Sequence, residues 1–167
     1  EVGLRDGLQI QPKLVPTEGK LELAQALIDA GVRAFEAVSF VSPKALPQMA
    51  TAAEVWAGLE MKEEIYYSAL VLNEKGYDRA VEAGATVVSL ALATTEKMNL
   101  ANTRMSLETA TDVCSKIVRR ANDDGLEARA YVSTAMGCPY EGDVPVATVV
   151  DLTAKMLDAG ADRISIA

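Results

Sequence analysis

Two charged side chains of opposite sign stand next to each other near the start of the chain, just before a glycine. They are Arg5 and Asp6, in the run EVGLRDGLQ at residues 1–9. A carboxylate oxygen is a hard ligand that suits Mg2+ or Mn2+. If this run is a strand, neighbouring side chains point to opposite faces, so the two can converge on one ligand only where the strand frays into its loop. A surface ion pair is the alternative interpretation.

A third charged residue, Glu36, lies inside the apolar run Ala34–Val38. A charge in such a run must be paired or functional, and Arg5 on the neighbouring strand is the obvious partner. A structural ion pair and a catalytic one remain equally open. Two other residues are weaker functional candidates. Lys44 could meet an anionic substrate group, but a loop lysine is usually solvated. The Cys138 thiol could be a nucleophile or an acid, but no histidine or helix N-terminus visibly activates it.

Composition narrows the classes of function. The chain has 167 residues, half of them hydrophobic, a net charge of -8 and no histidine. The negative charge argues against nucleic acid and against an anionic membrane surface. No signal peptide or long apolar run is present, and two cysteines are too few for a disulfide scaffold, so a cytoplasmic protein is expected. Without histidine, serine-histidine triads are excluded and any metal site within the chain must use oxygen ligands.

A repeated unit positions these residues. An acidic residue, alanine and glycine precede an apolar run at residues 29–31, 82–84 and 158–160, with a looser copy at 123–125. Each glycine fits the left-handed position just past a helix end, and each run reads as a buried strand. We therefore expect strands near residues 1–5, 33–41, 65–71, 86–93, 127–134 and 162–167. Helices are expected between them, including 18–30 and 107–122, and Thr17 and Ser106 are candidate N-caps.

Strands that alternate with helices and carry nearly continuous apolar runs predict an α/β fold with a parallel sheet. A doubly wound sheet loses its main support because no G-x-G-x-x-G turn follows the first strand. Polar residues instead cluster at the C-terminal ends of several strands, where TIM (β/α)8 barrels place their sites. We expect residues 1–167 to form one incomplete TIM-barrel domain of about six strands and five helices.

Three motifs, in order, give this chain a family resemblance. EVGLRDGLQ at residues 1–9, SFVSPK at 39–44 followed by PQM, and YVS at 131–133 followed by GCPYEG at 137–142 resemble hydroxymethylglutaryl-CoA lyase. The wider superfamily of DRE-TIM metallolyases shares the Arg-Asp-Gly and the trailing Gln. Its condensing synthases usually have an acidic residue where Leu8 stands and Asp-Thr-Thr where residues 1–3 stand, so the lyase branch is favoured.

The resemblance implies a retro-Claisen cleavage of 3-hydroxy-3-methylglutaryl-CoA to acetyl-CoA and acetoacetate, dependent on Mg2+ or Mn2+. Asp6 would bind the metal, Arg5 would hold the thioester oxygen and Glu36 would orient Arg5 or the substrate. The other residues carried over contact the acyl-CoA substrate: Gln9, Ser39 and Tyr131. The family's metal-binding histidines and asparagine and its catalytic cysteine come from later strands and loops, which this chain does not contain.

Two other functions stay open from the sequence. One is an acetyl-CoA-condensing synthase of the isopropylmalate, citramalate or homocitrate type. The other is a barrel fragment without activity, which the absence of histidine favours. A homo-oligomer is left open as a partner, and the isolated 167-residue chain is expected to be inactive.

Overall fold

The computed structural model describes residues 1–167, which divide into two compact units. Unit 1 comprises Glu1–Val71 and Lys75–Thr86, and unit 2 comprises Leu72–Glu74 and Val87–Ala167. The strands are β1 (Ala34–Ser39), β2 (Tyr66–Val71), β3 (Val87–Ala93), β4 (Glu127–Ser133) and β5 (Arg163–Ile166). The helices are α1 (Thr17–Asp29), α2 (Ala52–Gly58), α3 (Glu74–Glu82), α4 (Glu96–Thr103), α5 (Leu107–Asp123) and α6 (Val146–Asp158), with a π-helical turn at Gly3–Gly7 and a 3-10 turn at Pro47–Met49.

Five of the six expected strands are present, and the first is not. Residues 3–7 form the π turn instead of a strand. Only Glu1 pairs like a strand residue: its amino group donates to the Ala34 carbonyl at 2.8 Å and its carbonyl accepts from the Glu36 N–H at 2.9 Å. The turn forms because the Val2 carbonyl accepts from the amides of residues 5, 6 and 7, at 3.2, 2.7 and 3.2 Å. The expected first strand was therefore wrong beyond its first residue.

In unit 1, β1 and β2 pair in parallel with one irregularity. Glu36 lies opposite Ser68, but Val38 lies opposite Ala69, so Ala37 is an extra residue on β1. Ser39 consequently pairs with Leu70. A bulge of this kind shifts every later side chain of its strand to the other face. The apolar core of the unit includes Phe35 stacked on Tyr67, with ring centroids 5.4 Å apart.

In unit 2, β3, β4 and β5 pair in parallel in that order. The two faces of β4 differ. Ala128, Ala130 and Val132 are fully buried, whereas the alternate residues, such as Arg129 and Tyr131, are partly exposed. The strand therefore alternates between an apolar face and a polar face, as expected of a strand with one face in the core.

The repeated glycines end helices as the sequence predicts. Gly31, Gly84, Gly125 and Gly160 all have positive φ, between 75° and 98°. Gly160 is also crowded, because a Cβ there would lie 2.2 Å from the Nδ2 atom of Asn122. Of the expected caps, Ser106 accepts from the Thr109 amide at 3.1 Å, but Thr17 is the first helical residue and caps nothing.

Six α-helices form where about five were expected, because residues 96–103 add the short helix α4. None of these helices combines the length and the hydropathy needed to cross a bilayer.

Candidate active site

Arg5 and Asp6 can converge because they lie in a helical turn. Successive side chains in such a turn are separated by roughly 80–100° around the axis, rather than by the 180° of a strand. The Nη1 atom of Arg5 lies 2.8 Å from Oδ1 of Asp6. Single π turns occur frequently at functional sites. The convergence that a strand allows only at its frayed end is thus produced by the π turn itself.

The guanidinium of Arg5 joins a buried carboxylate to an exposed one. Its Nε donates to Oε1 of Glu36 at 2.6 Å, and its Nη2 also contacts that oxygen. The side chain of Glu36 is 2% exposed, that of Arg5 is 16% exposed and that of Asp6 is 56% exposed. The expected ion pair between Arg5 and Glu36 is therefore present. The Arg5 guanidinium is the cation that lies between the buried Glu36 and the solvent-facing Asp6.

The bulge at Ala37 brings Glu36 and Ser39 to one face of β1. Their partners on β2, Ser68 and Leu70, are two residues apart, so all four side chains lie on the same face. The Oε2 atom of Glu36 and the Oγ atom of Ser39 are buried and have no hydrogen-bond partner. Buried polar atoms nearly always have one. This face therefore carries one free acceptor, on the carboxylate that is bonded to the Arg5 guanidinium, and one free hydroxyl.

These groups can recognise an oxygen-rich, partly anionic ligand. A guanidinium has five N–H donors, and three of those on Arg5 are directed at Glu36 and Asp6. The remaining two can hold a carbonyl oxygen that gains negative charge, a role in which a fixed cation is effective. The Oε2 atom of Glu36 and the Ser39 hydroxyl can bond a ligand hydroxyl or carbonyl.

Asp6 has the donor chemistry of one ligand to a hard divalent cation, because its carboxylate is more than half exposed in the π turn. It does not form a complete site by itself. No group of three or more His, Cys, Asp or Glu side chains within residues 1–167 is close enough to hold a metal ion.

The other predicted residues lie at different places. Gln9 follows the π turn and is partly exposed, and Lys44 is exposed in the loop after β1. Tyr131 is in unit 2, on the polar face of β4, where the Arg129 guanidinium carbon lies 4.9 Å from its ring centroid. The assignment of Gln9 and Tyr131 as substrate-binding residues, like the roles of Arg5, Asp6, Glu36 and Ser39, stays a prediction.

Arg129 and its partner Ser165 were not among the residues expected from the sequence. Nε and Nη2 of Arg129 both donate to the Ser165 hydroxyl, at 3.2 and 2.9 Å. Ser89, opposite Arg129 on β3, is buried without a hydrogen-bond partner. A signal was present in the sequence, because residues 127–133 (EARAYVS) alternate strictly between polar or aromatic and small apolar side chains.

The two thiols have different environments. Cys138 lies 3.0 Å from the Thr95 hydroxyl. Burial by itself raises the pKa of Cys138, but hydrogen bonds from Thr95 and from the backbone of Tyr140 and Glu141 stabilise the thiolate and lower that pKa overall. Burial raises the pKa of Cys114 to about 12. Cys138 thus links its loop to Thr95, the N-cap residue of α4, and Cys114 is a core residue.

Comparisons with known proteins agree with these motifs. The family model HMGL-like matches residues 1–167. The mitochondrial hydroxymethylglutaryl-CoA lyase of Bos taurus is 40% identical over 166 residues, which are 99% of this chain and 51% of that protein. The cytoplasmic 3-hydroxy-3-methylglutaryl-CoA lyase of Danio rerio is 36% identical, over 99% of this chain and 50% of that protein. The chain therefore spans about half the length of these relatives.

Solved structures extend the similarity to three dimensions. An HMG-CoA lyase from Acinetobacter baumannii, in complex with coenzyme A and 3-methylmalate, matches with a TM-score of 0.94 at 38% identity, over 99% of this chain and 54% of that one. The HMG-CoA lyase of Brucella melitensis gives a TM-score of 0.92 at 36% identity, over 99% of this chain and 60% of that one. The expected TIM-barrel fold is confirmed, and the chain accounts for part of that barrel.

Proposed function

Because this chain belongs to the HMGL-like family, we propose that the protein containing it cleaves 3-hydroxy-3-methylglutaryl-CoA to acetyl-CoA and acetoacetate. One geometric observation supports this activity best. Arg5 is fixed between the buried Glu36 and the exposed Asp6, and the face of β1 that carries Glu36 also carries an unpartnered carboxylate oxygen and an unpartnered hydroxyl. Such a site suits a substrate that carries a hydroxyl and a thioester carbonyl close together.

The reaction breaks the bond between C2 and C3 of the acyl group. The C3 hydroxyl loses its proton and becomes the ketone of acetoacetate, while the electron pair of the broken bond passes to C2 and the thioester oxygen as an enolate. Protonation at C2 then gives acetyl-CoA. The two uncommitted N–H donors of Arg5 hold the thioester oxygen as its negative charge grows. Glu36 fixes the orientation of that guanidinium, and its Oε2 accepts from the substrate.

The family resemblance also implies a divalent cation, and Asp6 fits as one of its ligands. Its exposed carboxylate has the hard oxygen that Mg2+ and Mn2+ prefer. Since no cluster of three candidate ligands exists within residues 1–167, other ligands would come from parts of the relatives' length that this chain does not span. When bound, the cation would draw negative charge from the substrate oxygens.

Coenzyme A in the A. baumannii structure supports an acyl-CoA substrate for this protein as well. A cytoplasmic location and a homo-oligomeric state stay predictions. The named relatives include mitochondrial and cytoplasmic proteins, so their names favour neither location.

The test is acetoacetate release from hydroxymethylglutaryl-CoA by the full-length protein that contains this chain, with Mg2+ or Mn2+ and after chelation with EDTA. We expect Asp6→Asn to lower kcat by about 10²- to 10⁴-fold, because it removes one ligand charge. Asp112→Asn, the same change on an exposed residue of α5, should leave kcat within about twofold. No cation-dependent release by the wild type would refute the proposal. Release of free CoA from acetyl-CoA and a 2-oxo acid would instead identify a condensing synthase.

A further inference from the structure

A lysine is buried in unit 1 where the fold gains little from a charge. Lys20 is 5% exposed, on the face of α1 that also buries Ala24 and Ile28. Burial lowers its pKa, an effect that the charge of Glu54 partly offsets. Its Nζ atom donates to the Gln48 carbonyl at 2.6 Å and to the Thr51 hydroxyl at 3.0 Å.

A chain of hydrogen bonds continues from this lysine to the Arg5–Asp6 turn. Nε2 of Gln48 donates to the Gln11 carbonyl at 2.8 Å, and Nε2 of Gln11 donates to the Gly7 carbonyl at 3.0 Å. Gly7 directly follows Asp6 and ends the π turn. Gln48 lies in the segment that follows β1, the strand that carries Glu36 and Ser39. Two loops that are distant in sequence are thus joined through one side chain.

We propose that Lys20, Gln48 and Gln11 form a clamp that sets the position of the Arg5–Asp6 turn relative to the end of β1, and that they are positioning residues of the active site. The role in catalysis rests on the proposed function; the mechanical link does not. An ammonium group buried against two uncharged oxygens costs more desolvation than an apolar side chain of similar length. Its contribution is therefore the fixed geometry of two loops rather than stability.

Gln48→Met tests the central link of the clamp, because it removes the bond to Gln11 and leaves the Gln48 carbonyl bonded to Lys20. In the full-length enzyme we expect kcat to fall by about 10- to 100-fold, with a smaller change in KM, because small misplacement of reacting groups has effects of this size. The control is Gln25→Met on α1, which breaks a surface bond to Asp29 and should leave both constants within about twofold. If Gln48→Met lowers thermal stability without changing kcat, its role is only structural and the positioning role is refuted.

Hydrogen-deuterium exchange provides a readout that does not depend on the reaction. In Gln48→Met and in Lys20→Met, the amides of residues 5–7, which bond the Val2 carbonyl, should exchange faster although the substituted residues are far away in sequence. Gln25→Met should not alter them. Faster exchange confined to residues 47–51 would overturn the clamp. If the wild type does not cleave hydroxymethylglutaryl-CoA, the exchange result still decides the clamp, so the two proposals fail separately.

Discussion

Replacing Arg5 should destabilise the protein more than replacing its partner Glu36. The carboxylate of Glu36 is 2% exposed and already has one oxygen without a partner. The guanidinium of Arg5 is 16% exposed and is also bonded to Asp6. Arg5→Met therefore leaves a buried charge with no counterion, whereas Glu36→Gln leaves a cation that keeps a second carboxylate and some solvent.

The expected magnitudes follow from this asymmetry. An uncompensated buried charge costs about 3–5 kcal/mol, and Arg5→Met should approach this range. Glu36→Gln should cost about 1–3 kcal/mol, since the remaining charge is partly solvated and a neutral amide still accepts from Arg5. The double variant Arg5→Met with Glu36→Leu removes both charges. It should cost less than Arg5→Met alone, because apolar replacement of a buried ion pair is often close to neutral.

Urea denaturation of the full-length variants measures these differences, provided that the slope of free energy against urea is unchanged. Arg163→Met is the matched control. It breaks the ion pair with Glu127, whose side chains are 64% and 28% exposed, and should cost less than about 1 kcal/mol. An Arg5→Met cost no greater than that of Glu36→Gln, or a double variant less stable than Arg5→Met, would refute the expected asymmetry.

Three further outcomes are expected. Ser39→Ala removes a buried hydroxyl without a partner, so unfolding measurements should find the variant as stable as the wild type or more stable by up to about 1 kcal/mol. Its KM should rise, and a loss of stability would contradict the prediction. Gly160→Ala should cost about 0.5–1.5 kcal/mol more than Gly31→Ala, because φ is alike (98° and 97°) but a Cβ at residue 160 would displace the Asn122 side chain from its hydrogen bond to the Gly160 carbonyl; equal thermal shifts would count against it. Thr95→Val should raise the pKa of Cys138, seen by mass spectrometry as a higher pH midpoint for alkylation, whereas an unchanged midpoint would show that the hydroxyl does not stabilise the thiolate.

The sequence predicts the regular part of this fold closely, for a physical reason. A glycine at positive φ ends each helix of the repeat, and the apolar run after it becomes a strand within about two residues of its expected limits, as at Gly84 and β3. Both signals are local, since they depend on the φ of one residue and on the hydrophobicity of the next six or seven. Helix α4 lacked such a signal and was not expected.

The irregular part could not be predicted in this way. The π turn is stabilised by the Val2 carbonyl, which accepts three amide hydrogen bonds, by the Gly3 and Arg5 carbonyls, which accept from the Leu8 amide, and by a salt bridge from Arg5 to a strand about thirty residues later. The bulge at Ala37 has no sequence signature, because residues 35–39 of β1 are all buried and the strand shows no alternation that a shift of register would interrupt. Each feature depends on contacts across the fold rather than on local propensity.

Both irregularities act on the candidate site in the same way. The π turn brings two residues that are adjacent in sequence, Arg5 and Asp6, into contact, and the bulge brings two residues three apart, Glu36 and Ser39, to one face. Regular strands would have sent each pair to opposite faces. Two of the four buried side-chain oxygens without a hydrogen-bond partner, those of Glu36 and Ser39, lie on this face of β1, and each of them lowers stability. Departures from local rules that coincide with unsatisfied polar groups are expected where a protein binds a ligand, so these irregularities support an active site here independently of the family resemblance.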